Sequence, residues 1–244
     1  MRKVMKQKGF TLIEIAIVLV IIGLLLGGVL KGQELINTAR VRALNNSVDG
    51  ITAAWFSFQD RYRAFPGDYT QATVNLPDNA GLIVDGDGNG RVGITGASAD
   101  SPEERANVWV QLQAAGYITG NFDGDETNVA TAPEYGCSVE TCPDNGFGAG
   151  MNLTFGNQIR GAVAITQPEH ELITGRGIPV EVIAELDRKV DDGEPETGAM
   201  QLGAGGVGWD SGASDLCQRA VTGSANVYEL QSPSSNCAAV FRNF

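Results

Sequence analysis

From Phe10 to Leu30 the chain reads FTLIEIAIVLVIIGLLLGGVL, 21 residues with a single charge, Glu14, and no proline. As a helix rising ~1.5 Å per residue, that run spans ~32 Å, about the hydrocarbon thickness of a bilayer. Arg2, Lys3, Lys6 and Lys8 precede it, a bias that keeps the first residues in the cytoplasm and carries the C-terminal remainder of the chain across the membrane. Everything after Lys31 is therefore expected outside. A cleaved secretory signal would end in an A-x-A-like triplet and would not carry a carboxylate near the start of its apolar run. Neither feature fits this segment well.

The apolar run begins directly after Lys8-Gly9, with Phe10-Thr11-Leu12-Ile13-Glu14 next. This K-G-F-T-L-I-E run resembles the class III leader of type IV prepilins and type II secretion pseudopilins. The resemblance implies that a membrane-embedded prepilin peptidase cuts between Gly9 and Phe10 on the cytoplasmic side and methylates the new Phe10 amine. It also implies an assembly role for Glu14. The physics of Glu14 points the same way. An ionised carboxylate inside a bilayer costs on the order of 2.5 to 3.5 kcal/mol on insertion scales, and no Lys or Arg lies within two turns of Glu14 on the processed chain. The Phe10 ammonium of a neighbouring subunit would neutralise it. A plain uncleaved signal anchor is the competing reading.

Beyond Lys31 the helical pattern continues but becomes amphipathic. Val41, Leu44, Val48, Ile51, Trp55, Phe58 and Tyr62 recur at spacings of three and four, one apolar stripe along a helix half buried against a domain. Phe65-Pro66-Gly67-Asp68 ends it by removing a donor and permitting a turn. The resemblance implies a pilin-like lollipop of α+β class, a long N-terminal helix joined to a globular head with an antiparallel sheet. The expected segments are a leader at 1–9, a transmembrane half-helix at 10–30, an amphipathic half-helix at 31–63 and a head at 64–244.

Within the head, residues 69–100 are rich in glycine and aspartate, with apolar runs at Leu82-Ile83-Val84 and Val92-Gly93-Ile94. They are expected to form a loop with a hairpin-like element. Ser101-Pro102-Glu103-Glu104 supplies an N-cap, a proline at the first helical position and a capping-box glutamate for a helix running to Gly116. Met151–Phe155 and Gln158–Ile165 are expected as strands joined at Gly156-Asn157. Residues 179–190 should form another helix, with Ile178, Val182, Ile183, Leu186 and Val190 on one side and Asp191-Asp192-Gly193 closing it. Met200–Leu202 and Val227–Leu230 are further expected strands.

The 244 residues carry 17 basic and 29 acidic groups. Without the four basic residues of the leader the balance is 13 against 29, a body that repels phosphate backbones and argues against nucleic-acid binding. Cations are the natural electrostatic partners. Asp85-Gly86-Asp87-Gly88-Asn89-Gly90 places side-chain oxygens at alternate positions with glycine at the sixth, the opening of an EF-hand-type loop. Asp85, Asp87 and Asn89 are thus candidate calcium ligands, against an ordinary polar turn. The twelfth position is Gly96 rather than glutamate, so Asp100, Glu103, Glu104 or the Asp123–Glu126 run would have to complete the shell. Asp191-Asp192-Gly193-Glu194 is better explained as a helix-ending turn.

Four cysteines in an exported head argue for disulfides. Of three connectivities, Cys137 with Cys142 and Cys217 with Cys237 costs the least loop closure. A single histidine excludes any site needing two, and His170, in a Gln-Pro-Glu-His-Glu turn, is expected on a surface loop. The G-x-G-x-x-G match at Gly203–Gly208 lacks an enclosing strand–helix–strand unit and is expected to be a loop. No nucleophile and base pair emerges, so no enzyme activity is expected. The chain is expected to be a structural subunit, of minor type given its length, in a type IV pilus or type II secretion pseudopilus. It would sit in the bacterial inner membrane before assembly and in a periplasmic or extracellular filament afterwards, with prepilin peptidase and other subunits as partners. The alternative is an exported adhesin-like module with a calcium-stabilised head.

Overall fold

The computed structural model describes residues 12–77, 81–95, 99–129, 137–156, 168–203, 217–219, 221, 225–242 and 244. Gly9, Phe10, Gly96, the expected strand at Gln158–Ile165 and most of the Gly203–Gly208 loop lie outside them. Helix α1 runs Leu12–Tyr62. The chain divides into two compact units, Met1–Arg40 and Val41–Phe244.

In the first unit, every residue from Leu12 to Leu30 is exposed, including Leu12, Leu24 and Leu30. The helix is long and apolar enough there to cross a membrane, and none of its most apolar stretch is buried within the protein. A run made mostly of leucine, isoleucine and valine satisfies its backbone groups internally as helix and leaves side chains suited to an apolar surround.

The second unit begins with the stripe that the spacing predicts. Val41, Leu44, Val48, Ile51, Trp55 and Phe58 are buried, joined by Ala54, and Tyr62 packs partly buried at the end. Trp55 is fully enclosed, with Phe65 stacked 5.2 Å away and Phe244 edge-on at 6.1 Å. The helix stops as Arg63 turns left-handed (φ 55°), two residues ahead of Phe65-Pro66. A short helix α2 (Ala72–Asn75) comes next. The hairpin element is β1 (Ile94–Thr95) against β2 (Ala99–Asp100). Leu82–Val84 forms no strand; its backbone is held instead by side chains of the next helix.

That helix, α3 (Pro102–Ala114), starts as its sequence dictates. Ser101 Oγ accepts from the Glu104 N–H at 3.4 Å and Pro102 occupies the first position. Its departure from expectation is that Glu104, Arg105, Asn107 and Gln111 are buried along with Val108, Trp109 and Leu112. The polar members serve the irregular chain packed on the helix. Gln111 accepts from the Gly67 N–H and donates to the Val84 carbonyl, while Asn107 accepts from the Val84 N–H.

The head's main sheet has four antiparallel strands, β3 (Asn152–Gly156), β4 (Glu169–Ile173), β5 (Met200–Leu202) and β8 (Ala239–Phe241), in the order β3-β4-β8-β5. Leu153 pairs with Leu172 and Gln201 with Val240. Among the described residues, β3 pairs with β4. Between β4 and β5 lies α4 (Val180–Val190), whose Val182, Ile183 and Leu186 are buried with Ile178. Val190 is exposed, because the helix ends there. β6 (Gln218–Arg219) pairs with β7 (Val227–Tyr228), and Leu230 lies beyond β7, exposed. Disulfides join Cys137 to Cys142 and Cys217 to Cys237.

His170 is the clearest correction. It lies on β4, buried, with its ring against Trp55, Phe65 and Phe155. The charged neighbours that suggest a surface loop are matched from the adjoining strand region: Arg242 Nε lies 2.6 Å from Glu169 and 3.1 Å from the fully buried Glu171.

Candidate functional site

The glycine–aspartate segment at 81–93 wraps over the N-terminal half of α3. Its backbone donors point inward at carboxylates. Glu104 accepts from the Asp87 N–H at 3.3 Å and the Gly93 N–H at 3.0 Å. Asp68 accepts from the Asn89 N–H at 3.0 Å and the Gly90 N–H at 2.9 Å. Nearby, the Val92 N–H donates to His170 Nε2 at 3.3 Å. Gly86 permits the close approach: a Cβ there would lie 2.3 Å from the Asp68 backbone.

This wrapping gathers Asp68, Asp87 and Glu104, each bringing one oxygen within 4.8 Å of the others. Asp68 and Glu104 are buried. Burial pushes the Glu104 carboxyl up to about 7, against its two backbone hydrogen bonds and with added repulsion from Asp87 and Asp68. Asp68 is likewise raised, chiefly by burial. Asp85, Asp87 and Glu104 also line a cavity of about 190 Å³ with Glu103 and Asn107. All of these donors are oxygens, the set that a hard divalent cation prefers, and the cluster can hold a metal ion.

The candidate ligands read from alternate spacing thus separate. Asp87 enters the cluster. Asp85 turns to Thr73, accepting from its N–H at 2.8 Å and from its hydroxyl. Asn89 donates its side-chain amide to Asp87 at 2.8 Å. Glu104 accepts from loop donors, while the Ser101 N–H that a capping box would assign to it donates to the Gly93 carbonyl. Asp68 is legible in the sequence only as part of a helix-ending turn; it lies 19 residues before Asp87, and no local pattern joins them. Asp123 and Asp125 shape their own turn, where Asp123 accepts from Thr141 and Asp125 from Thr127, the latter bonds holding the Asp125 carboxyl low.

Glu14 lies on the exposed first unit of α1. Residues 4–30 match the family model of the prokaryotic N-terminal methylation motif. No curated protein and no solved structure matches the chain. With that match and its exposed apolar helix, the chain carries the N-terminal leader of the type IV pilin and pseudopilin family.

Proposed function

We propose that this chain is a prepilin, cut after Gly9, methylated on Phe10 and assembled through α1 as a minor subunit of a type IV pilus or type II secretion pseudopilus. The carrying observation is the methylation motif at residues 4–30 overlapping the stretch of α1 that is apolar enough to cross a membrane and has no buried residue. Before assembly that helix lies in the inner membrane, with the basic leader in the cytoplasm and the head in the periplasm. Within the filament, Glu14 neutralises the Phe10 ammonium of the adjoining subunit, so the cost of a carboxylate in an apolar environment favours packing in register. In the head, Asp68, Asp87 and Glu104 hold calcium and fasten the 81–93 segment to α3.

Coexpression with a prepilin peptidase followed by mass spectrometry of the N-terminus tests the reading. Loss of nine residues and gain of one methyl group on Phe10 are expected. Gly9→Val should block both, because a bulky side chain obstructs the scissile position. An intact Met1 on the mature protein overturns the proposal.

A second reading, an adhesin-like module on the same stalk, is favoured by a cavity of about 540 Å³ lined by Tyr117, Phe122, Val139 and Pro143 beside Ser47 and Ile51. It expects head variants at Tyr117 to lose surface attachment while filaments still form.

A further inference from the structure

The end of α4 gathers a second group of carboxylates that shares no residue with the first. Asp187, Asp191 and Asp192 each bring one oxygen within 4.8 Å of the other two. Asp187 is fully buried. Its Oδ2 accepts from the Tyr228 hydroxyl at 2.8 Å, whereas Oδ1 meets no donor in hydrogen-bonding geometry. The Gly193 N–H lies close enough to favour the charged form, yet burial and the charges of Asp191 and Asp192 outweigh it and raise the Asp187 carboxyl to about 6.

Hydrogen bonds from the surroundings orient these oxygens. Asp191 Oδ2 accepts from the Met200 N–H at 2.8 Å, and Asp192 accepts from the Glu194 N–H and the Thr197 hydroxyl. Gly198, at φ +80°, closes the loop so tightly that a Cβ would overlap Asp191 Oδ2. Lys189 is paired with Glu185. Three acids also sit at a helix C-terminus, the negative end of the macrodipole, where carboxylates are least favoured.

We propose that Asp187, Asp191 and Asp192 form a binding site for one hard divalent cation, calcium being the best fit to an all-oxygen donor set, which ties the end of α4 to the Met200 and Tyr228 strands. The cation takes the place of the donor that Asp187 Oδ1 lacks and offsets the repulsion of Asp191 and Asp192 on Asp187. This site stands whether or not the chain enters a filament.

Terbium titration of the full chain in detergent micelles, read by aromatic-sensitised emission and by calcium displacement, tests the site. Tyr228 lies beside Asp187 and serves as the built-in sensitiser. Saturable emission displaced by calcium is expected. Asp187→Asn and Asp192→Asn should each weaken calcium binding at this site at least tenfold, and Glu181→Gln, exposed on the same helix, should leave it unchanged. Asp192 is exposed, so its variant should fold even if the Asp187 one does not, with circular dichroism in chelator as the check. Calcium affinity and stoichiometry unchanged in Asp192→Asn, or no calcium binding by the wild-type chain at millimolar concentration, overturns the proposal.

Discussion

His170 is neutral in the folded head at physiological pH because its aromatic surround cannot solvate an imidazolium. Burial pushes its pKa from 6.5 down to about 4, and Nε2 must stay unprotonated to accept from the Val92 N–H. As pH falls below 6.5, the unfolded chain takes up a proton that the folded chain refuses until about pH 4. Stability is therefore lost across that window and flat below it, by about 3 kcal/mol at 1.36 kcal/mol per pH unit. Glu104 and Asp187, with raised values, act in the opposite direction over the same range, so the comparison must be with a variant. Urea denaturation from pH 7 to 4 should show a His170→Leu chain losing less stability on acidification than the wild type. Parallel pH profiles would show that this imidazole does not set the acid limb. Read from its neighbours alone, His170 belongs to a surface turn, because Pro168, Glu169 and Glu171 surround it. The buried Glu171 has Arg242, 71 residues later, beside it.

At the scale of elements, α3 and α4 are legible because their signals are local. Ser101-Pro102 starts α3, and the apolar positions Val182, Ile183 and Leu186 mark the inner face of α4. Ser101→Ala should lower stability by about 1 kcal/mol, the usual worth of an N-cap oxygen. Denaturant midpoints measure it, with Ser101→Asp as the variant that restores the acceptor; equal midpoints for all three chains would remove the cap from the account. The hairpin and β4 are less legible. Leu82–Val84 looks like a strand by composition, but its Val84 N–H and carbonyl are taken by Asn107 and Gln111. β4, reading Glu-His-Glu-Leu-Ile, lacks the apolar–polar alternation of a half-exposed strand because both its faces are covered, one by aromatics and one by an ion pair.

Across the whole molecule, the exposed apolar helix suits an apolar surround, and the proposed assembly role of Glu14 is tested there. Glu14→Val keeps the span apolar, so the variant should fractionate with membranes at wild-type levels and fail to enter filaments on shearing and sedimentation. Wild-type filament yield would show that the carboxylate is dispensable for assembly. The apolar span and the buried stripe from Val41 to Phe58 can be read before any folding is known, since each is written as residue type at short, regular spacing, whereas the leader and the α+β class are implied by a resemblance. Which strands pair, which acids meet and which polar side chains are buried emerge only in the folded head. Asp68 joins Asp87 and Glu104, and Tyr228 reaches Asp187 across 41 residues. The physical reason is that irregular backbone buried in a head must find donors and acceptors wherever folding brings them. Those partners, unlike a helix's own, carry no fixed interval in the chain.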